Sequence, residues 1–169
     1  MTKLSYETRI EAPAERVWEV LADFGGTDRY NPNVTESRST SDANSGVGAE
    51  RHCDLSFGGA QVEERIVGWD EGRSYDVEIV ESKRTPPMKN PHARFEVEPD
   101  GDATIVRASM SYVMNYGPVG WAMDRAMVRS KFGGAFQRIL AGLKHHVETG
   151  ELVTDDIKID LKPVRALAA

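Results

Sequence analysis

The 169 residues of this chain are 40% hydrophobic and 28% charged, proportions that suit one globular domain with a sizeable core. Its 21 Lys and Arg against 27 Asp and Glu give a net charge of −6, which disfavours nucleic acid or an anionic membrane as the main partner but allows a local basic patch. The single cysteine, Cys53, excludes an intramolecular disulfide and a thiolate metal cluster.

The first 30 residues predict one strand followed by two short helices. Apolar and polar residues alternate from Lys3 to Glu11, which is typical of a strand. Pro13 then lies near the first turn of a helix that ends in Asp-Phe-Gly-Gly at 23–26. A second short helical turn, Thr27–Tyr30, stops before Asn31 and Pro32.

The middle of the chain predicts six strands separated by turns, of which Gly58-Gly59 and residues 99–102 have the clearest turn chemistry. The predicted strands are Val34–Thr40, Ala49–Phe57, Gln61–Trp69, Ser74–Glu81, Ala93–Glu98 and Thr104–Asn115. Strands in succession, followed by a helix, indicate an α+β fold rather than alternating βαβ units.

A long C-terminal helix is predicted from Val119 to Glu148, because apolar residues recur there at three- and four-residue steps. Gly133 and Gly134 interrupt its apolar face. They indicate either a close helix-to-sheet contact with a slight bend or room for a ligand between helix and sheet. Residues 151–169 are predicted to be an extended or partly disordered tail, and the alternation at 157–161 suits a strand added to an exposed sheet edge.

Three stretches of this sequence resemble the helix-grip superfamily, also called START-like or SRPBCC, which includes the birch-pollen allergen. They are Ile10 to Trp18, Glu64 to Asp70, and Leu140 to Gly150. The sequence is most similar to the polyketide cyclase/dehydrase and lipid-transport-like branch. The resemblance implies a single domain over residues 1–150, in which a curved seven-stranded antiparallel sheet wraps the long C-terminal helix and encloses a cavity for an apolar molecule.

Strand alternation on the implied fold predicts which side chains face this cavity. Phe57 is expected to point inward at the end of its strand, and the four histidines are expected at the surface. The predicted ligand-binding residues are Arg51, Leu55, Val62, Glu64, Tyr75, Phe95, Met110, Tyr112, Val128, Phe132 and Phe136.

Glu64 is the most informative of these residues, because a carboxylate among apolar neighbours must be paired or have its pKa raised. One interpretation is a ligand anchor or a general acid/base. The other is a structural ion pair with Arg51 on the adjacent strand. A paired Glu64 and Arg51 facing a cavity serve both purposes.

Three functions follow as hypotheses. The first is binding of a lipid- or polyketide-like molecule. The second is a cofactor-independent cyclase or dehydratase, in which Glu64 acts as acid/base and Arg51 or Tyr112 stabilises an enolate oxygen. The third is a protein-interaction module. The sequence has no motif for a metal or a cofactor and no apolar run of membrane-spanning length, so we expect a cytoplasmic monomer or homodimer without metal, nucleic acid or membrane insertion.

Overall fold

A computed structural model describes residues 1–168 of the chain. Eight strands and three α-helices follow one another, with a 3-10 helix at Phe24–Arg29 and a π-helical turn at Asp124–Val128. The strands are β1 Thr2–Ile10, β2 Val34–Ser39, β3 Glu50–Leu55, β4 Gln61–Asp70, β5 Ser74–Lys83, β6 Met88–Asp100, β7 Ala103–Met114 and β8 Arg165–Ala166. The helices are α1 Ala14–Ala22, α2 Gly117–Met123 and α3 Arg129–Thr149.

The strands form one antiparallel sheet in the order β2-β3-β4-β5-β6-β7-β1-β8. This sheet packs against α3, with the core between them, so the predicted α+β arrangement is confirmed. The prediction of seven strands is wrong by one. The additional strand, β8, comes from the C-terminal tail and pairs with β1 at the edge of the sheet.

The tail is held against the body along its length. The Val153 amide donates to the Arg29 carbonyl at 2.9 Å, and the Leu167 amide donates to the Ser5 carbonyl at the same distance. Val153 and Val164 are buried. The added strand therefore lies later in the tail than the alternation at 157–161 suggested. It covers part of an edge that would otherwise present unpaired backbone groups.

Glu7 links the tail to the sheet. Its carboxylate accepts hydrogen bonds from Arg107 Nε at 2.9 Å and from Arg165 Nε at 2.5 Å. Burial alone would raise the pKa of the Glu7 carboxyl, but the two guanidinium groups outweigh it and lower this pKa. The folded state therefore favours the ionised form of the Glu7 carboxyl.

We expect Glu7 to stabilise the protein at neutral pH and to lose this effect in acid. Because its folded pKa lies below the ordinary value of 4.5, the contribution is complete above 4.5 and disappears as the pH falls through the folded pKa. Urea unfolding of the wild type and Glu7→Gln, at about pH 7 and about pH 3, checks this. The stability difference should shrink at the lower pH, and a constant difference would contradict the assignment.

One end of the interior is closed by α1. Glu71 accepts hydrogen bonds from the indole nitrogens of Trp18 and Trp69, both at 2.7 Å. The two indole rings lie 5.0 Å apart between centroids. A single carboxylate thus fixes α1 to the β4–β5 turn, which makes this end of the core rigid.

The predicted C-terminal helix is present, but it is not one uninterrupted α-helix. A π-helical turn separates α2 from α3. Within α3, a side chain at Gly133 would overlap the Tyr6 hydroxyl, whereas Gly134 has open space around it. The interpretation of Gly133 as a close helix-to-sheet contact is confirmed. Gly134 is rotated by about 200° from buried Phe136, so it faces away from the sheet.

Candidate functional site

Aromatic rings form a continuous row through the interior, from the α1 end towards α3. Tyr75 stacks with Trp69 at a centroid distance of 5.9 Å and with Phe95 at 5.2 Å, and Phe95 stacks with Phe136 at 6.5 Å. Tyr75, Phe95 and Phe136 are buried. These stacked rings fill this part of the interior, and the Phe95–Phe136 pair joins the sheet to α3.

Arg51 and Glu64 form a buried ion pair beside this row. They lie directly opposite each other on β3 and β4, and Arg51 Nε is 2.6 Å from Glu64 Oε2. Arg51 also donates through Nη1 to the Phe24 carbonyl at 2.8 Å, and its guanidinium lies 3.9 Å above the Phe24 ring. The predicted pairing of Arg51 with Glu64 is confirmed.

The charges of this pair set the ionisation of their neighbours. Burial would lower the pKa of the Arg51 guanidinium, but Glu64 together with Cys53, Tyr30 and Tyr75 outweighs burial and raises it. Burial raises the pKa of the Cys53 thiol to about 11, with Arg51 opposing and Glu64 adding to the effect. Cys53 Sγ lies 4.0 Å from Glu64 Oε2. At neutral pH the thiol is therefore protonated, and Cys53 is not an activated nucleophile.

The Tyr75 hydroxyl is buried close to the Tyr30 side chain, but it makes no hydrogen bond of good geometry with the described residues. Burial raises the pKa of Tyr75 well above its ordinary value, so the phenol remains protonated. An unpaired buried hydroxyl costs stability, and it is satisfied when an oxygen or nitrogen acceptor comes within reach. Tyr75 therefore offers a hydrogen bond inside an otherwise apolar region.

Tyr112 has a different set of partners from Arg51 and Glu64. Its hydroxyl donates to Asp124 Oδ1 at 2.5 Å, and Thr2 donates to Asp124 Oδ2 at 2.6 Å. Burial raises the pKa of Tyr112, and the hydrogen bond to Asp124 adds to this. The structure thus groups two of the three catalytic candidates and places the third in a contact that holds the π-helical turn to β7 and β1.

Several apolar side chains that pack against the core are only half-buried. These residues are Leu55, Ile79, Met88, Ala93, Met114, Phe132 and Ile139. Met88 pairs with Met114 across β6 and β7, and Glu64 lies opposite Ile79 across β4 and β5. The ion pair therefore has at least one of these half-buried apolar side chains, Ile79, beside it.

A separate surface groove of about 250 Å³ lies between α1, the 3-10 helix and the end of α3. Arg16, Glu19, Asp23, Arg29 and His146 give it charges of both signs. None of the predicted ligand-binding residues lines it. We therefore restrict the candidate site to the interior.

The sequence matches the model of a family described as polyketide cyclase / dehydrase and lipid transport over residues 1–148. This chain belongs to that family. No curated protein matches the sequence significantly. The family assignment agrees with the sheet and long helix described above.

Solved structures with the same fold have diverged strongly in sequence. A START superfamily protein from Mycobacterium smegmatis is 16% identical, with a TM-score of 0.70 over 86% of this chain and 97% of that one. XoxI from Bacillus cereus is 18% identical, with a TM-score of 0.70 over 88% and 97%. Norcoclaurine synthase from Thalictrum flavum is 15% identical, with a TM-score of 0.67 over 87% and 86%. At these identities the similarity establishes the fold alone.

Most of the residues that the sequence predicts to line a ligand site are buried in the structure. Eight are buried, namely Arg51, Val62, Tyr75, Phe95, Met110, Tyr112, Val128 and Phe136. Leu55, Glu64 and Phe132 are half-buried. Val62 belongs with Cys53 and Val34 to a second, smaller apolar cluster, which Ile79 joins to the main core.

Two positions differ from the sequence-based expectation. Phe57 is 47% exposed, because β3 ends at Leu55 and Phe57 lies in the following hairpin turn. His52 is buried rather than at the surface, because Glu63 bonds its Nδ1 atom and neighbouring strands cover the ring. Phe24 and Asp124 were missed as partners of Arg51 and Tyr112. Nothing in their local sequence patterns indicates these contacts.

Among residues 1–168, no helix has the combination of length and hydropathy needed to cross a membrane. This holds for α3 as well, which is 21 residues long but carries Arg, Lys and His side chains along its length.

Proposed function

We propose that this protein binds an apolar or amphipathic small molecule between the sheet and α3. The observations that support the proposal are inward apolar side chains that are only half-buried, Ile79, Ala93, Met114 and Phe132, together with the buried Arg51–Glu64 ion pair. A ligand placed there removes apolar surface from water, at a gain of roughly 25 cal/mol per Å². The polar part of such a ligand has Glu64 and its partner within reach.

The interior chemistry favours a ligand with one polar end. Arg51 and Glu64 offer a charged donor and acceptor, and the Tyr75 hydroxyl, which lies close to the Tyr30 side chain, offers a further polar group. The remaining lining is aromatic and aliphatic. Few polar groups in a largely apolar site are typical of sites that orient a small molecule. A fatty-acid-like or polyketide-like molecule has this distribution of groups.

Binding can be tested with the fluorescent amphipathic probe 1-anilinonaphthalene-8-sulfonate and with palmitate as a competitor. Ala93 lies on the inner face between Val77 and Met110, so Ala93→Phe fills part of the proposed site. We expect this variant to bind the probe about tenfold more weakly, equivalent to about 1.4 kcal/mol. Native mass spectrometry of the purified wild type, compared with its denatured mass, reports any molecule that is already bound.

The matched control is Val80→Phe, which adds the same ring at an exposed position on β5. This variant should bind the probe as the wild type does, and circular dichroism should show all three proteins folded. Equal binding by the wild type and Ala93→Phe would contradict an interior site. So would the absence of both probe binding and a co-purified molecule.

The alternative function is an enzyme in which Glu64 acts as the general acid or base. Both contacts that the structure shows for this carboxylate use Oε2, so Oε1 is available to accept a proton. If native mass spectrometry recovers a bound compound, a catalytic role predicts that the wild type converts it. The Glu64→Gln variant should then bind the compound without converting it. Equal product formation by both proteins would exclude Glu64 as the acid/base.

A further inference from the structure

The helical segment from Gly117 to Lys131 touches the rest of the molecule along a stripe only one residue wide. Gly120, Asp124 and Val128, spaced four residues apart, are buried, and every other residue of the segment is exposed. Residues at this spacing lie one above another on a helix. About three quarters of the helix surface is therefore uncovered.

The uncovered surface is strongly apolar. Val119, Met123 and Met127 form a row on one side of the buried stripe, and Val119 and Met127 are 65% and 48% exposed. Trp121, on the other side, is 64% exposed. Large apolar side chains clustered on one surface indicate an interaction site, whereas single ones scattered over a surface do not.

Positive charge surrounds this apolar row, although the whole chain is acidic. Between Asp102 and Glu148 the sequence contains one acidic residue, Asp124, which is buried and bonded to Tyr112. The same stretch contains six Arg and Lys residues, of which Arg125, Arg129 and Lys131 lie on the exposed helix.

The neighbouring β5–β6 connection adds to this positive charge. This connection and the adjoining ends of β5 and β6 have no acidic residue from 82 to 95, and Lys83, Arg84 and Lys89 are exposed. This connection lies against the chain just before α2, because the Asn115 amide donates to the Pro87 carbonyl at 3.1 Å. The net charge of −6 therefore conceals a basic region around α2.

We propose that α2 and the π-helical turn dock onto the surface of an anionic lipid bilayer. The apolar row enters the interface, Trp121 lies at headgroup depth, and Arg125 and Arg129 contact lipid phosphates. The Arg125 guanidinium lies 5.8 Å from the centre of the Trp121 ring, which keeps both groups on the same side. An aromatic and aliphatic surface whose exposed charged residues, Arg125, Arg129 and Lys131, are all basic complements an anionic bilayer.

This docking is interfacial and needs no membrane-spanning segment. It also does not depend on the proposed interior ligand, so the two proposals fail separately. Vesicle binding tests the surface around α2, and probe binding by Ala93→Phe tests the interior.

The test is co-sedimentation of the full chain with vesicles of about three parts phosphatidylcholine to one part phosphatidylglycerol. We expect binding to these vesicles, weak binding to pure phosphatidylcholine, and release in about 0.5 M NaCl, where charges are screened over a few ångströms. Because Trp18 is buried, Trp69 is half-buried and Trp121 is 64% exposed, binding through Trp121 should shift tryptophan emission to shorter wavelength. The shift should be lost in Trp121→Phe.

Two double variants separate the apolar and the charged contributions. Arg125→Gln with Arg129→Gln should lower partitioning into the vesicles about tenfold or more. Val119→Ser with Met127→Ser should lower partitioning at low salt although all the positive charges remain. All four positions are exposed, so the variants should fold as the wild type does.

The matched controls are Val47→Ser, at a residue that is 68% exposed, and Arg16→Gln on α1. Both should bind vesicles as the wild type does. The proposal is overturned if the wild type does not bind anionic vesicles, or if the controls lose as much binding as the α2 variants. It is also overturned if sedimentation velocity shows a dimer that Val119→Ser with Met127→Ser dissociates, because the row is then a contact between two copies.

Discussion

Replacing Arg51 by methionine should lower the free energy of unfolding by about 3 to 5 kcal/mol. Methionine fills a similar volume, but it leaves the Glu64 carboxylate without its partner and the Phe24 carbonyl without the Nη1 donor. The Glu64 side chain is only 16% exposed, so water replaces the lost contacts poorly. Urea unfolding at neutral pH gives the magnitude.

A second substitution distinguishes loss of the ion pair from loss of packing. Arg51→Met combined with Glu64→Leu removes both charges, and we expect the double variant to recover most of the lost stability. The control is Arg38→Met, because Arg38 is exposed and lies 3.7 Å and 3.8 Å from its acidic partners. That change should alter stability by less than about 0.5 kcal/mol. Additive effects of the two interior substitutions would show that the charges do not depend on each other.

This energetic role explains why the ligand test above changes Ala93 rather than the charged residues. A buried ion pair contributes little net stability as a pair, yet removing one member is costly. A variant such as Arg51→Met can therefore lose ligand binding either by losing a contact or by losing the fold. Changing a small inward residue on β6 leaves the charges intact.

The position of the ion pair could be predicted from the sequence because it depends on local rules. Gly58 and Gly59 both adopt left-handed φ values, +60° and +64°, which suits a tight hairpin and fixes the register of β3 against β4. Arg51 and Glu64 then lie opposite each other. Alternation places both on the inner face, as the sequence indicated.

Other features depend on contacts between distant parts of the chain and leave no local pattern. Asp124 looks like an ordinary surface residue of an amphipathic helix, yet it is buried because Thr2 and Tyr112 bond it from β1 and β7. The π-helical turn lies at the same place. Similarly, β8 has only two residues and is specified by Glu7, which Arg165 reaches from the far end of the chain.

The second large effect concerns glycine-to-alanine substitutions in α3. This substitution should lower the free energy of unfolding at Gly142 and raise it at Gly134. We expect Gly142→Ala to lower the free energy of unfolding by about 2 to 3 kcal/mol. A Cβ atom at this position would overlap the Tyr30 carbonyl oxygen and lie 3.0 Å from Pro32 Cδ. Because the obstacle is backbone, it cannot rotate away, and the clash exceeds the gain of about 1 kcal/mol from the higher helix propensity of alanine.

Gly134→Ala is the matched control on the same helix, where a Cβ atom meets nothing within 4 Å. It should raise stability by about 0.5 to 1 kcal/mol through helix propensity alone. Gly133→Ala should fall between the two, since only the end of the Tyr6 side chain must move. Urea midpoints for the three variants check the order. Equal stabilisation by Gly142→Ala and Gly134→Ala would mean that α3 does not lie against the Tyr30 backbone, because the added Cβ atom at position 142 would then meet no obstacle.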